Sequence, residues 1–379
     1  MGQNTAVGGL SSPSAQYAGS TGASRTTRRR CRAAFSFSQL KLEFTNSPCD
    51  VEPTTASEHG DITIAASVET AGGALTQVTF DGGSTTKVLT KNTTVLSDAA
   101  SFTAAEGDIF WVRTYVSAGT GLRYPLNMLT DQTNGEGTVN SVNQTMSGTI
   151  SSSNAKSFTA TAVVAPRPAP VTNLLIVGDS ITAGRTEATD QTLSDHQRGW
   201  AARAFGGIYP FYRLAMGGDR ANLIPTNWPS RQTLPATGGF SHAIVLLGVN
   251  DIQDAAQTGA NVISSLDTIY QWLQDAGIPR IYAVTIPPFS VTGTYTSAGG
   301  QTVNSTFDGY RQTVNTSIRA LSNSRLYGYI DAAAAVEDGS NAGKWRSDGG
   351  VAYSDDGTHP NTLGHQTIAN AITTKTFAV

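Results

Sequence analysis

Residues 173–184 read NLLIVGDSITAG. Leu174, Leu175, Ile176 and Val177 form an unbroken apolar run, and Gly178-Asp179 ends it. A strand with one wet face alternates, whereas an unbroken run suits a strand covered on both faces, as in parallel sheets flanked by helices. The same texture recurs in HAIVLLG (242–248), IYAVTI (281–286) and LYGYIDA (326–332), with a further strand expected around Phe211 to Ala215. Between these runs the period lengthens. Val262, Ile263, Leu266, Ile269, Tyr270 and Leu273 follow helical spacing, as do Phe307, Tyr310, Val314, Ile318 and Leu321, and NTLGHQTIANAI (361–372) closes the chain as a helix. Strands alternating with helices predict a three-layer α/β domain with a parallel sheet over residues 173–379.

Upstream the period is two. Phe35 and Phe37 alternate with serines, and Leu40, Leu42 and Phe44 with polar residues; the slip of phase between Phe37 and Leu40 predicts a bulge. Ile62, Ile64, Ala66 and Val68 alternate again, and DIFWVRTYVSA (108–118) is β-branched and aromatic. With turn signals at DGG (81–83) and AEGD (105–108), residues 26–165 read as an all-β sandwich. Residues 1–25, rich in Gly, Ser, Ala and Thr, are expected to be a flexible arm, and the Pro-rich stretch 166–172 a stiff linker. The arginines 25, 28, 29, 30 and 32 suit a solvated edge strand better than a site for an anionic polymer.

Composition narrows the classes of function. Among 379 residues, 25 Lys+Arg against 28 Asp+Glu give a net charge of -3, so no nucleic-acid partner is expected. Apolar residues make up 39% of the chain, enough for a packed core, and no apolar run is long enough to span a membrane. Cys31 and Cys49 cannot build a disulfide scaffold; whether they bridge is left open. The start, MGQNTAVGGLSSPSAQ, has neither a basic nor an apolar leader region, although an extracytoplasmic location is expected from the activity discussed next.

In α/β sheets, ligands collect at the carboxyl ends of the strands. Four such ends carry suggestive residues. Gly178-Asp179-Ser180-Ile181 puts a serine in a tight turn entering a helix; alone, it reads equally well as a cap. Met216-Gly217-Gly218-Asp219 offers backbone N–H groups that can approach a ligand closely. Gly248-Val249-Asn250-Asp251 offers an amide donor or an Asx-turn. In Asp356-Gly357-Thr358-His359, the aspartate can reach Nδ1 of the histidine and leave Nε2 free as a base; Asp355 sits one residue too far. A metal site is the rival reading of this block, but no paired His or Glu at metal spacing lies nearby. His196 and His242 lack a well-placed carboxylate, His59 lies in the β region, and His365, on the final helix, reads as structural.

These four blocks, in this order, resemble those of the SGNH (GDSL) hydrolase superfamily, and TIPP (285–288) resembles a segment that often follows. The resemblance covers roughly residues 171–379 and implies a flavodoxin-like hydrolase domain. It implies Ser180 as nucleophile, His359 as general base and Asp356 as its orienting partner. The implied oxyanion hole is made of the Ser180 N–H, the Gly218 N–H and the Asn250 side chain, with Gly218 chosen over Gly217 by aligning RLAMGGD. No cofactor or metal is implied. More loosely, residues 26–165, with LKLEFTN at one strand end, resemble the jelly-roll-like sandwich of two-domain members, many of them polysaccharide deacetylases. The expected substrate is therefore an acylated small molecule or polysaccharide, foremost an O-acetyl carbohydrate. A broader lipase, arylesterase or thioesterase and a non-catalytic sugar-binding module are the alternatives. The stretch 290–304 is a candidate lid, and Trp228 and Trp345 are candidate sugar-stacking residues. The oligomeric state is not legible.

Overall fold

The computed structural model describes residues 4–6, 16–17, 23–46, 59–126, 128–166, 172–187, 198–206, 208–224, 239–373 and 377. Cys49, the linker residues 167–171, His196 and Trp228 lie outside them.

The N-terminal half folds into two antiparallel sheets. One is ordered Gly137–Asn140, Ser24–Arg32, Ile109–Ala118, Ile62–Thr70 and Leu75–Val78, with Lys87–Leu89 also on Ile62–Thr70. The other runs Asn4–Ala6, Ala162–Pro166, Phe37–Thr45 and Thr94–Leu96, with Ala100–Ala104 also on Phe37–Thr45. Their alternating residues fill the core between them. Leu40, Leu42 and Phe44 are buried from one sheet, and Ile64, Ala66, Val68, Val112 and Val116 from the other. The expected bulge is present, as a register shift between Phe37 and Gln39.

Two expectations for this half need correction. Parts of the arm are strands: Asn4–Ala6 pairs with Ala162–Pro166, and Gln16–Tyr17 pairs with Pro125–Leu126. Such short pairings rest on backbone hydrogen bonds, so side-chain periodicity does not announce them. Nor is the arginine-rich strand an edge, because Ser24–Arg32 lies between two neighbours. Arg28 and Arg113 share the Glu69 carboxylate, with Nε–O distances of 2.8 Å each, and the Arg28 guanidinium stacks on Trp111 at 4.1 Å. Paired in this way across strands, the charges tolerate an interior position.

The C-terminal half is the expected three-layer α/β domain. Its five parallel strands lie in the spatial order Phe211–Ala215, Leu174–Gly178, His242–Leu246, Arg280–Val284, Leu326–Ile330. In chain order this is 2-1-3-4-5, so the topology switches direction between the first and third strands. Register keeps the ends level: Gly178 stands opposite both Ala215 and Leu246. Helix Gly259–Asp275 buries Val262, Leu266, Ile269, Tyr270 and Leu273. Helix Ser305–Arg319 stops before Leu321, which has a φ of 47° and is exposed. Among the described residues, no helix is long and apolar enough to cross a membrane.

Candidate active site

Three of the four blocks meet where the strand order reverses. The turn after the first strand is tight because Gly178 lacks a side chain: a Cβ there would stand 2.2 Å from Thr182 Oγ1. Asp179 follows in an extended conformation, and its Oδ1 accepts the Ile181 N–H at 2.9 Å, capping the short helix Ser180–Ala183. Ser180 is the first residue of that helix and is only 2% exposed. Its N–H has no backbone acceptor among the described residues.

Beside it, the chain leaves the Phe211–Ala215 strand through Met216 and two glycines. A Cβ on Gly217 would come within 3.9 Å of Ser180 Cβ, and Gly218 has a φ of +80° that favours glycine. Across the first strand, Gly248 also has a positive φ, and a Cβ there would meet Ile286 at 2.7 Å. The helix Val249–Gln253 that starts here carries Asn250 inward; its Nδ2 donates to the Asp219 carbonyl at 2.9 Å. Asp251 ties the neighbouring loop, accepting the Ala221 N–H at 2.8 Å and the Asn222 N–H at 3.1 Å.

The fourth block arrives from the far end of the chain. His359 Nε2 stands 2.8 Å from Ser180 Oγ, and its Nδ1 stands 2.6 Å from Asp356 Oδ2. Asp356 Oδ1 accepts two backbone N–H groups, from Thr358 at 2.9 Å and His359 at 2.8 Å. Burial works to raise the Asp356 carboxyl, but its bonds to the His359 side chain and to these two amides outweigh it and hold it well below the usual carboxylate range. An ionised Asp356 can only accept, so Nδ1 carries the proton and Nε2 presents its lone pair to the Ser180 hydroxyl. Asp355 instead accepts from Asn361 Nδ2 at 2.9 Å.

The other histidines do other work. His365 is fully buried; its Nδ1 accepts the Trp200 N–H at 3.2 Å, and burial, with nearby Arg203, pushes it down to about 3. His242 sits at the opposite end of its strand between Ser241 and Arg280, and His59 lies in the sandwich. Among the described residues, no group of acidic, histidine or cysteine side chains could hold a metal ion.

One candidate substrate contact is corrected. Trp345 is fully buried, so its ring cannot stack on a sugar. The candidate lid begins with a pinned residue, since the Ser290 N–H donates to the Gly357 carbonyl at 2.8 Å. It continues as a small hairpin that pairs Thr292–Gly293 with Gln301–Thr302. Sequence reading also missed Ser290, Gln301 and Trp345 as neighbours of the acid loop; the positive φ of Gly357 is a backbone property that no side-chain pattern displays.

The sequence profile of the GDSL-like lipase/acylhydrolase family matches residues 176–367. The chain belongs to this family. The matched span contains all four blocks, and the family is one of ester hydrolases of the SGNH fold. Similar solved structures include a family two carbohydrate esterase from Clostridium thermocellum in complex with cellohexaose, at 15% identity over 91% of this chain and 93% of that one, with a TM-score of 0.38. A carbohydrate esterase family 3 structure from Talaromyces cellulolyticus is 18% identical over 54% of this chain and 96% of that one, with a TM-score of 0.36. No curated protein matches the chain.

Proposed function

We propose that this ester hydrolase acts on short acyl esters, foremost O-acetyl groups on carbohydrate, through Ser180, His359 and Asp356. The observation that carries the reading is the unbroken chain from Asp356 Oδ2 through His359 to Ser180 Oγ, at 2.6 and 2.8 Å. Ser180 Oγ attacks the ester carbonyl as His359 Nε2 takes its proton. The oxyanion forms beside the Ser180 N–H, the Gly218 N–H and the Asn250 amide. His359 then protonates the leaving alcohol, and the C–O bond breaks to give an acyl-serine. Water, deprotonated by the same imidazole, releases the acid and restores the hydroxyl.

Two features support a hydroxyl-rich leaving group over a lipid. Beyond the buried Phe289 and Ser290, the chain beside the acid loop exposes Val291 and then Gly293, Thr294, Thr296 and Ser297, so most of that rim is polar. The sandwich strand Phe37–Thr45 also turns Ser38 and Gln39 to solvent, and strand Ser24–Arg32 carries half-buried Arg25, Arg28, Arg30 and Arg32. Released acetate from a panel of acetylated glycans, beside a chromogenic acetyl ester and a long-chain ester, tests the assignment. Acetate release abolished by Ser180→Ala is the expected result. Faster turnover of long-chain esters than of any acetyl ester would overturn the substrate class.

A further inference from the structure

The loop Asp356-Gly357-Thr358-His359 is fastened by residues that none of the four blocks contains. Gly357 has a φ of +80°, and this turns its carbonyl toward the protein interior, where it accepts two hydrogen bonds. One comes from the Ser290 N–H at 2.8 Å, the other from the Trp345 indole Nε1–H at 2.8 Å. The Gly357 N–H donates to Ser354 Oγ at 2.9 Å. Trp345 is itself clamped by one side chain. Its N–H donates to Gln301 Oε1 and its carbonyl accepts from Gln301 Nε2, both at 2.8 Å. Gln301 Oε1 also accepts from Ser290 Oγ at 3.0 Å. Packing is equally close: a Cβ on Gly357 would stand 2.6 Å from both the Ser290 carbonyl and the Tyr295 hydroxyl.

This arrangement matters because the Asp356 side chain is itself 48% exposed. Apart from the bond to the His359 imidazole, its side-chain hydrogen bonds among the described residues go to backbone groups of its own loop. Those bonds set the shape of the loop but cannot fix where the loop stands relative to Ser180. Catalytic groups must be held to about 0.5 Å of the productive geometry, and supporting hydrogen bonds do the holding. The only residue between Asp356 and Thr358 is anchored at both its N–H and its carbonyl.

We propose that Trp345, through its Nε1–H bond to the Gly357 carbonyl, is a positioning residue that sets Asp356 and His359 against Ser180. Gln301 fixes the Trp345 backbone in turn. The inference rests on the triad reading above. It assigns to one N–H a role that the bulk of the ring cannot fill.

Replacing Trp345 with β-(3-benzothienyl)alanine exchanges that N–H for sulfur and keeps the ring, so core volume is retained; Trp345→Phe is the simpler companion. On a small acetyl ester, kcat should fall about 10–100-fold, the range typical when a supporting contact is lost or a group is misplaced by about 1 Å. KM should change less than about twofold. The low-field proton resonance of the His359 Nδ1–H shared with Asp356 should shift or broaden, while the melting temperature of the benzothienyl variant stays close to that of the parent. A benzothienyl variant with parental kcat and an unmoved resonance overturns the inference. Ser180→Ala in the same assay separates the two readings. If it retains activity, the triad itself has failed; if it is inactive beside a fully active benzothienyl variant, only the role of Trp345 has.

Discussion

The sandwich and the parallel sheet each bury an asparagine and a histidine, and their hydrogen bonds differ in kind. In the sandwich, Asn46 Nδ2 donates to the Gly60 carbonyl at 3.0 Å and the Leu89 carbonyl at 2.9 Å, and its Oδ1 stands 2.8 Å from His59 Nε2. Both amide hydrogens are engaged, so Oδ1 accepts and His59 Nε2 carries a proton. Burial pushes His59 down to about 4, with Lys91 adding to the effect, which leaves a neutral ring that binds loop to strand. At the sheet ends, Asn250 donates to one carbonyl, Asp219 O, and His359 turns its Nε2 to a serine hydroxyl. A buried polar side chain is chemically useful to the extent that the fold leaves one of its donors or lone pairs directed at a site.

The largest contrast expected is in turnover. Ser180→Ala or His359→Ala should each lower kcat by about 10⁴–10⁶. His59→Ala should leave kcat within about twofold and lower only the unfolding midpoint. A Ser180→Ala enzyme that keeps a tenth of parental activity on an acetyl ester would break the comparison at its centre.

Next come the asparagines. Asn250→Ala should reduce kcat by about 10²–10³ with KM nearly unchanged, because its contact strengthens only in the transition state. Asn46→Ala should do the reverse, leaving kcat alone and costing roughly 1–3 kcal/mol for each buried carbonyl that loses its donor. Urea titrations beside steady-state kinetics separate the outcomes. An Asn250→Ala enzyme with raised KM and intact kcat would make Asn250 a substrate contact instead.

The same contrast explains what could be read from the sequence. The strands were legible wherever burial on both faces wrote an apolar run, as at Leu174–Val177, or burial on one face wrote alternation, as at Ile62, Ile64, Ala66 and Val68. The candidate site was legible because each of its residues sits within a few positions of a strand end or a helix start. Arg28 was misjudged because its partner Glu69 is 41 residues away, and pairing across strands leaves no local signature. Trp345 was misjudged for a similar reason. An indole buried against Gly357, 12 residues away, has the same letter as one facing solvent.

The smallest effect expected concerns two buried carboxyls, one in each half. Burial raises Asp179 to about 8, with Asp219 and Asp251 adding to it against the opposing bond from Ile181. Burial also raises Glu43 to about 7, against the opposing bond from Thr161. Asp179 caps the helix that bears Ser180, so changing it alters the site; Glu43, on strand Phe37–Thr45, is the cleaner probe. Below its ordinary value of 4.5, Glu43 is protonated in both the folded and the unfolded chain and contributes no pH dependence. From there to about 7 the unfolded chain has lost the proton and the folded one keeps it, so stability falls as pH rises, by at most about 1.4 kcal/mol per pH unit. Above that window both forms are ionised and the loss is complete. Glu43→Gln cannot titrate, so its stability relative to the parent should climb between about pH 4.5 and 7 and then level off, by roughly 1–3 kcal/mol in all. Histidines held low by burial, such as His242 and His365, tilt the parent's profile the other way in the acid range, but they are common to both proteins and cancel in the difference. Chemical unfolding of the two proteins at half-unit pH steps measures that difference. Parallel profiles would show that the sandwich interior hydrates Glu43 as water does, and kcat at pH 8 should be the same for both proteins.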